Sequence, residues 1–83
     1  MSAKPALLSG RKLVNIFKKI GYEKVSQRGS HIKMKNYDAE STIIIPDHKE
    51  IDRWTLKTIL KQAEISDQEF NKYLNRQAAS LFF

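Results

Sequence analysis

The stretch Gln27-Arg28-Gly29-Ser30-His31-Ile32-Lys33-Met34-Lys35 decides the fold, because it joins a tight turn to an alternating strand. Glycine and serine favour the turn, since glycine adopts backbone angles that other residues resist. Alternate side chains of a strand point to opposite faces, so His31, Lys33 and Lys35 share one face. Ile32 and Met34 then point the other way. The stretch predicts a hairpin with a basic, histidine-bearing face and an apolar face.

An amphipathic helix is predicted upstream of the hairpin, over residues 10–20. Ser9 fits its N-cap, because a hydroxyl accepts from backbone donors of the first turn, and Gly21 fits its end. Apolar residues recur inside it at helical spacing: Leu13, Phe17 and Ile20.

Two further strands flank the one that begins at His31. The first covers about residues 22–28 and is mostly polar, and the third covers residues 41–45 and stops at Pro46. Short connections between successive strands predict an antiparallel meander. In the third strand we expect Ile43 and Ile45 in the core and Ile44 on the opposite face.

Residues 46–51 are predicted to form a polar connector to two more helices. Asp52 fits the N-cap of the second helix, and Ser66-Asp67-Gln68-Glu69 fits a capping box that opens the third. The inward positions predicted on these helices are Leu56, Ile59, Leu60, Ala63, Phe70, Tyr73 and Leu74. The fold class is therefore α+β, with helices covering one face of a three-stranded antiparallel sheet. We expect a single domain over residues 1–83, with its core at about 8–75 and a C-terminal tail at 76–83 in which Leu81-Phe82-Phe83 either docks or frays.

The composition favours an anionic partner. The chain has 83 residues, a formal net charge of +6 and a sequence pI near 9.7, which suits a nucleic acid, an acidic protein or an anionic membrane surface. It contains no cysteine, so disulfides and thiolate metal sites are excluded. No apolar run has the length of a signal peptide core or a membrane span, and we expect a cytoplasmic protein.

The basic face carries the groups needed to cut RNA. Cleavage without a metal needs a base for the 2′-hydroxyl proton and positive charge near the phosphoryl oxygens. His31 is the candidate base, and Arg28, Lys33 and Lys35 are the candidate cations. The alternative is that His31 is only an exposed strand residue and that the lysines keep a sheet edge soluble.

Other candidate functional residues also have simple structural explanations. His48 follows Asp47, which can orient a histidine, but a plain loop histidine is the commoner case. Trp54 and Tyr22 can stack on bases, although aromatic residues at such places usually pack against their own domain. The two histidines show no spacing typical of metal ligands, and we expect neither metal nor cofactor.

Several segments together resemble the HicA, or YcfA-like, family of bacterial toxins, and the likeness runs from about Leu8 to Leu74. The segments that carry it are Ser9-Gly10-Arg11-Lys12-Leu13, Gly21-Tyr22, Arg28-Gly29-Ser30-His31, Ile45-Pro46, Thr55-Leu56-Lys57-Thr58-Ile59-Leu60-Lys61-Gln62-Ala63 and Ser66-Asp67-Gln68-Glu69-Phe70.

The resemblance implies a fold like that of double-stranded-RNA-binding domains, α-β-β-β-α, here with a short C-terminal helix added. It also implies an mRNA interferase in which His31 is the catalytic residue and Gly29 and Ser30 shape the turn. The implied partners are mRNA and a HicB-type antitoxin that masks His31, with no membrane partner.

The sequence departs from the family pattern at three places. The loop from Asp47 to Asp52 is short and lacks the glycine that the family often has there. Arg53-Trp54 stands where a Pro-Gly pair is common, and Glu64 stands where glycine is common. Two other functions stay open beside the nuclease. One is a non-catalytic module that reads double-stranded RNA by shape. The other is a protein-interaction domain whose basic face, with Ile44, docks an acidic partner.

Overall fold

The computed structural model describes the backbone of residues 8–82 and the side chains of residues 8–75. Six elements follow in chain order: α1 Gly10–Ile20, β1 Glu23–Arg28, β2 His31–Asn36, β3 Ser41–Pro46, α2 Arg53–Ala63 and α3 Asp67–Phe82. The α-β-β-β-α-α order confirms the predicted α+β class, and it is consistent with a domain of the double-stranded-RNA-binding type.

Helix α1 has the predicted bounds because both of its ends are capped. The Ser9 hydroxyl accepts from the backbone N–H of Lys12 at 3.1 Å. At the other end Gly21 has φ +130°, and its N–H donates to the carbonyls of Phe17 and Lys18 at 3.1 and 3.2 Å. A left-handed residue of this kind satisfies carbonyls that the helix itself leaves without partners.

The sheet has the order β1-β2-β3, with both pairs antiparallel. Ile32 lies opposite Ile45 and Met34 opposite Ile43, and all four side chains are buried. Because alternation places their neighbours on the other side, Ile44 points away from the core and is 39% exposed. The predicted orientation of the isoleucines in β3 is therefore confirmed.

The core lies between this apolar face of the sheet and the helices. Its buried members are Leu13, Val14, Ile16, Phe17, Tyr22, Ile32, Met34, Ile43, Ile45, Ile51, Ile59, Leu60, Ala63 and Phe70. The prediction for Ile51 is wrong: it was assigned to a polar connector, yet it is only 2% exposed. Its N–H donates to the carbonyl of Leu8 at 2.7 Å, which ties the connector to the segment before α1.

The last two helices begin at the predicted caps. The Asp52 carboxylate accepts from the N–H of Thr55 at 2.6 Å, and the Ser66 hydroxyl accepts from the N–H of Glu69 at 3.1 Å. Helix α3 has 16 residues and is longer than the short helix expected, since its backbone continues to Phe82. The predicted docking or fraying of residues 81–83 lies outside the side chains that the structure describes. Within the described residues, no helix has the length and apolarity to cross a membrane.

Candidate functional site

Among the described residues no helix covers one face of the sheet, and this face presents the basic residues of the hairpin. We call it the open face and define it by Arg28, His31, Lys33, Lys35 and Ile44. Cross-strand pairing sets its membership, since Arg28 lies opposite His31 and Lys33 lies opposite Ile44. His31 and Lys33 are exposed while Ile32 and Met34 are buried, so the strand alternation predicted for residues 31–35 is confirmed.

A two-residue turn positions His31. Gly29 has φ +58° and Ser30 does not share a positive φ, a combination that fits a type II′ hairpin turn. Arg28 and His31 are therefore the pair that closes the hairpin. A Cβ placed on Gly29 would have no atom within 4 Å, so the turn projects into open space.

Two of the three predicted cations lie close to His31. Arg28 is its direct partner across the hairpin, about 5.5 Å away between Cα atoms in pairs of this type. Lys33 is two residues along the same strand, about 7 Å away. On the β3 side, His31 pairs with Pro46. Proline has no N–H, but the sheet loses no hydrogen bond here, because the next residue makes it: the N–H of Asp47 donates to the carbonyl of Ser30 at 2.7 Å.

Lys35 is not part of the same cluster. It lies four residues along β2, about 13 Å from His31. Its ammonium is 6.0 Å from the centroid of the Tyr37 ring, and its side chain is half-buried. Lys35 therefore lies near the β2–β3 turn. If RNA binds at His31, Lys35 can contact only a phosphate further along that RNA.

The second histidine lies outside the open face. His48 is exposed in the connector between β3 and α2, and its carbonyl accepts from the N–H of Gly10 at 2.8 Å. The adjacent Asp47 contacts other residues: Arg11 Nε lies 3.6 Å from its Oδ1, and Gln27 Nε2 lies 3.4 Å from its Oδ2. These contacts direct Asp47 towards α1 and the hairpin.

The two aromatic candidates differ from each other. Tyr22 is buried, it packs edge-on against Phe17, and its hydroxyl donates to Ser41 Oγ at 2.7 Å. Trp54 is 79% exposed in the first turn of α2, so the expectation that it packs against its own domain is wrong. The cause is its helical position, because the inward stripe of α2 is formed by other residues, among them Ile59 and Leu60.

The start of α2 carries a fixed negative charge. Hydrogen bonds from Thr55, first from its backbone N–H and then from its side chain, lower the pKa of Asp52 below its ordinary value near 3.8, and the nearby charge of His48 lowers it further. An ionised carboxylate at this N-cap competes with any phosphate for the first helical amides. Within the described residues, no three His, Asp or Glu side chains are grouped so that they can hold a metal ion.

The sequence did not predict the hydrogen bonds that Gln27 makes with the turn and with Asp47. Gln27 Nε2 donates to the carbonyl of Gly29 at 3.0 Å as well as to Asp47. Gln27 and Asp47 are twenty residues apart in the sequence, and each appeared only as a polar residue next to a motif. The pairing register is the feature that could have indicated this contact, because it brings the end of β3 beside the hairpin turn.

The fold and the open face define a small basic α+β domain with an exposed histidine at a hairpin turn. A family model described as HicA toxin of bacterial toxin-antitoxin matches residues 10–65, which is more than half of the chain. The chain belongs to the HicA toxin family of bacterial toxin-antitoxin systems. Such a system pairs a toxin with an antitoxin, so a cognate antitoxin is implied. The comparisons with curated proteins and with solved structures found no match.

Proposed function

We propose that this protein is an endoribonuclease that cuts mRNA without a metal ion and uses His31 as its general base. The single observation that supports this most is the exposed position of His31 on the open face, with Arg28 across the hairpin and Lys33 along the strand. A base and fixed positive charges are thus available to one bound phosphodiester. Membership in the HicA family supports mRNA as the substrate.

The reaction is an in-line transesterification. Neutral imidazole accepts the proton of the ribose 2′-hydroxyl, and the resulting oxygen attacks the adjacent phosphorus. The bond from phosphorus to the 5′-oxygen breaks, and that oxygen takes up a proton. The products are a 2′,3′-cyclic phosphate and a 5′-hydroxyl. Arg28 and Lys33 stabilise the negative charge that builds on the phosphoryl oxygens. DNA resists cleavage because it has no 2′-hydroxyl.

The proposal includes regulation by the antitoxin. A HicB-type partner that covers the open face would bury His31 and exclude RNA from it. Acidic groups on the partner would complement Lys33 and Arg28, and Ile44 offers an apolar contact beside them.

A non-catalytic module for double-stranded RNA is the second candidate, since the fold is consistent with such domains. These domains use a cluster of lysines at the start of the helix that follows the sheet to contact phosphates. Here that place is Asp52-Arg53-Trp54, and the lowered pKa of Asp52 keeps its carboxylate charged there. The charge at this helix start disfavours the second candidate.

The test compares wild-type protein with His31→Ala on end-labelled single-stranded RNA, with a chelator present. We expect His31→Ala to lower the cleavage rate at least about 100-fold with little loss of RNA affinity, because a general base contributes at least that factor. Lys33→Ala should weaken RNA binding and reduce the slope of log affinity against log salt by about 0.7, the value for one phosphate contact on a single strand.

His48→Ala provides the matched control, because it removes the chain's other histidine. A loss confined to His31→Ala, with cyclic-phosphate ends in the wild-type digest, supports the mechanism. Cleavage by His31→Ala at the wild-type rate rules it out. RNA binding by the wild type without any cleavage leaves the second candidate.

A further inference from the structure

We propose that Gln27 is a positioning residue, anchored by Asp47, which holds the turn that presents His31. The inference rests on the proposed function, since the purpose of this placement is the reaction at His31. Gln27 lies on the helix-covered side of β1, opposite Ile32, and so does not share the open face with the substrate. It acts on His31 through the backbone of the turn.

Both carbonyls of the turn are held by groups outside it. The carbonyl of Gly29 accepts from Gln27 Nε2 at 3.0 Å, and the carbonyl of Ser30 accepts from the N–H of Asp47 at 2.7 Å. These carbonyls belong to the two residues directly before His31. Their fixation therefore contributes to the direction in which β2 begins, and with it to the direction of the Cα–Cβ bond of His31.

The Gln27 carboxamide has a defined orientation. Lys24 Nζ lies 2.9 Å from Gln27 Oε1, and an ammonium group can only donate. The amide NH₂ must then face the other way, towards the carbonyl of Gly29 and Asp47 Oδ2. Arg11, in the first turn of α1, pairs with the second oxygen of Asp47 at 3.6 Å and links this anchor to the helix layer.

Side-chain packing at Gly29 adds nothing to this fixation. A Cβ on Gly29 would meet no atom of the described residues within 4 Å, leaving its outer side open. The ladder of β2 with β1 and β3 holds the strand that begins at His31, and the hydrogen bonds of Gln27 and Asp47 add to the fixation of the turn before it. A displacement of about 1 Å between reacting groups can cost roughly 100-fold in rate, so even partial loosening of the turn should be measurable as a loss of kcat.

Gln27→Glu separates the donated hydrogen bonds from the size of the side chain. Glutamate keeps the length of glutamine and the acceptor for Lys24, with added charge attraction, but it has no N–H to donate. Repulsion from Asp47 also pushes it away from the turn. We expect kcat for RNA cleavage to fall about tenfold, with KM within about twofold and the melting temperature preserved. Gln27→Ala should give a similar loss of kcat, and Asp47→Asn, which keeps an acceptor oxygen, should retain more activity than Asp47→Ala.

The matched controls are Gln62→Glu and Gln62→Ala, which alter an exposed glutamine on α2. Both should cleave RNA at the wild-type rate. A second measurement, made without RNA, reports on the turn itself: the rate of hydrogen exchange of the Asp47 amide, measured by NMR. This rate should be several-fold faster in Gln27→Glu than in the wild type, and it should be unchanged in Gln62→Glu.

The two measurements separate failure of this inference from failure of the proposed function. Unchanged kcat together with unchanged Asp47 exchange in Gln27→Glu overturns the role of Gln27. An inactive wild-type protein refutes the nuclease, and faster exchange in Gln27→Glu would then still support Gln27 as the residue that holds the turn. Equal losses of kcat in Gln27→Glu and Gln62→Glu would also overturn the inference.

Discussion

Gly29 and Glu64 both have a positive φ, of +58° and +56°, and Glu64, with ψ +42°, lies in the left-handed αL region. Glycine adopts a positive φ freely, whereas the Cβ of any other L-residue crowds the following carbonyl at a cost of about 1–2 kcal/mol. Glu64 ends α2, and its N–H donates to the carbonyls of Leu60 and Lys61. The left-handed conformation explains why glycine fits position 64, and it identifies Glu64 as a residue that lowers the stability of the fold.

We predict that Glu64→Gly stabilises the protein. Removal of the Cβ relieves the left-handed strain and leaves the capping hydrogen bonds in place, so the free energy of unfolding should rise by about 1 kcal/mol. For a domain of this size the gain corresponds to roughly 4–8 °C in melting temperature, measured by thermal unfolding. Glu64→Ala is the control, because it removes the charge and keeps the Cβ. A gain as large in Glu64→Ala would attribute the effect to charge.

Residue-level predictions from the sequence succeeded where the determining contacts are local. The alternation of His31, Ile32 and Lys33 follows from strand geometry alone, and the structure has it as predicted. Ile51 failed because a single apolar residue among charged neighbours has no periodic partner, and its burial depends on a backbone bond to Leu8. The contact between Gln27 and Asp47 also depends on the assembled sheet, so local patterns carried no sign of it.

At the scale of elements, α1 is placed by a close backbone approach at its first residue. The N–H of Gly10 donates to the carbonyl of His48 at 2.8 Å, and a Cβ built on Gly10 would collide with the carbonyl oxygen of Pro46. The sequence predicted the bounds of α1 from its caps and periodicity. It did not predict this approach, because the end of β3 is far away in the chain.

For Gly10→Ala, helix propensity and steric fit predict opposite changes in the free energy of unfolding. Helix propensity alone favours alanine over glycine by about 1 kcal/mol. The collision with Pro46 must instead push α1 away from β3, and we expect a net loss of about 1–3 kcal/mol in the free energy of unfolding, measured in urea. Asn15→Ala, at an exposed site within α1, should be neutral or slightly stabilising. Stabilisation by Gly10→Ala would refute the close approach.

The cap of α2 makes stability depend on pH. The Thr55 hydrogen bonds lower the pKa of Asp52 in the folded state below its ordinary value near 3.8, which the unfolded chain keeps. The ionised form therefore favours the folded state at pH values above 3.8, and this contribution is lost as the pH falls through the lower folded value. Asp52→Asn keeps a capping oxygen but does not titrate, so the stability of the wild type relative to this variant should decrease as the pH falls through this range. A constant difference in melting temperature from neutral to acidic pH would contradict the assignment.

At the scale of the whole molecule, the sheet divides the domain into two sides of different chemistry. The helix side holds the core, and the open face holds His31 and the cations that we propose the antitoxin covers. Ile44 is the apolar residue among the five that define this face; it is 39% exposed and lies directly across from Lys33. An apolar contact beside basic groups is typical of an interface with a small hydrophobic centre and a charged rim.

We predict that Ile44→Asp weakens binding of a cognate HicB-type antitoxin at least about tenfold, equivalent to about 1.4 kcal/mol. The substitution removes the apolar contact, and it places a carboxylate against the acidic groups that we propose for the partner, so that the two charges repel. Calorimetric titration with purified antitoxin measures the effect, and a melting temperature close to that of the wild type verifies the fold. Gln62→Asp is the matched control, since it adds the same charge on exposed α2, away from the open face. Unchanged affinity in Ile44→Asp, or an equal loss in Gln62→Asp, would mean that the antitoxin docks on another surface, and masking of His31 would then require a different route.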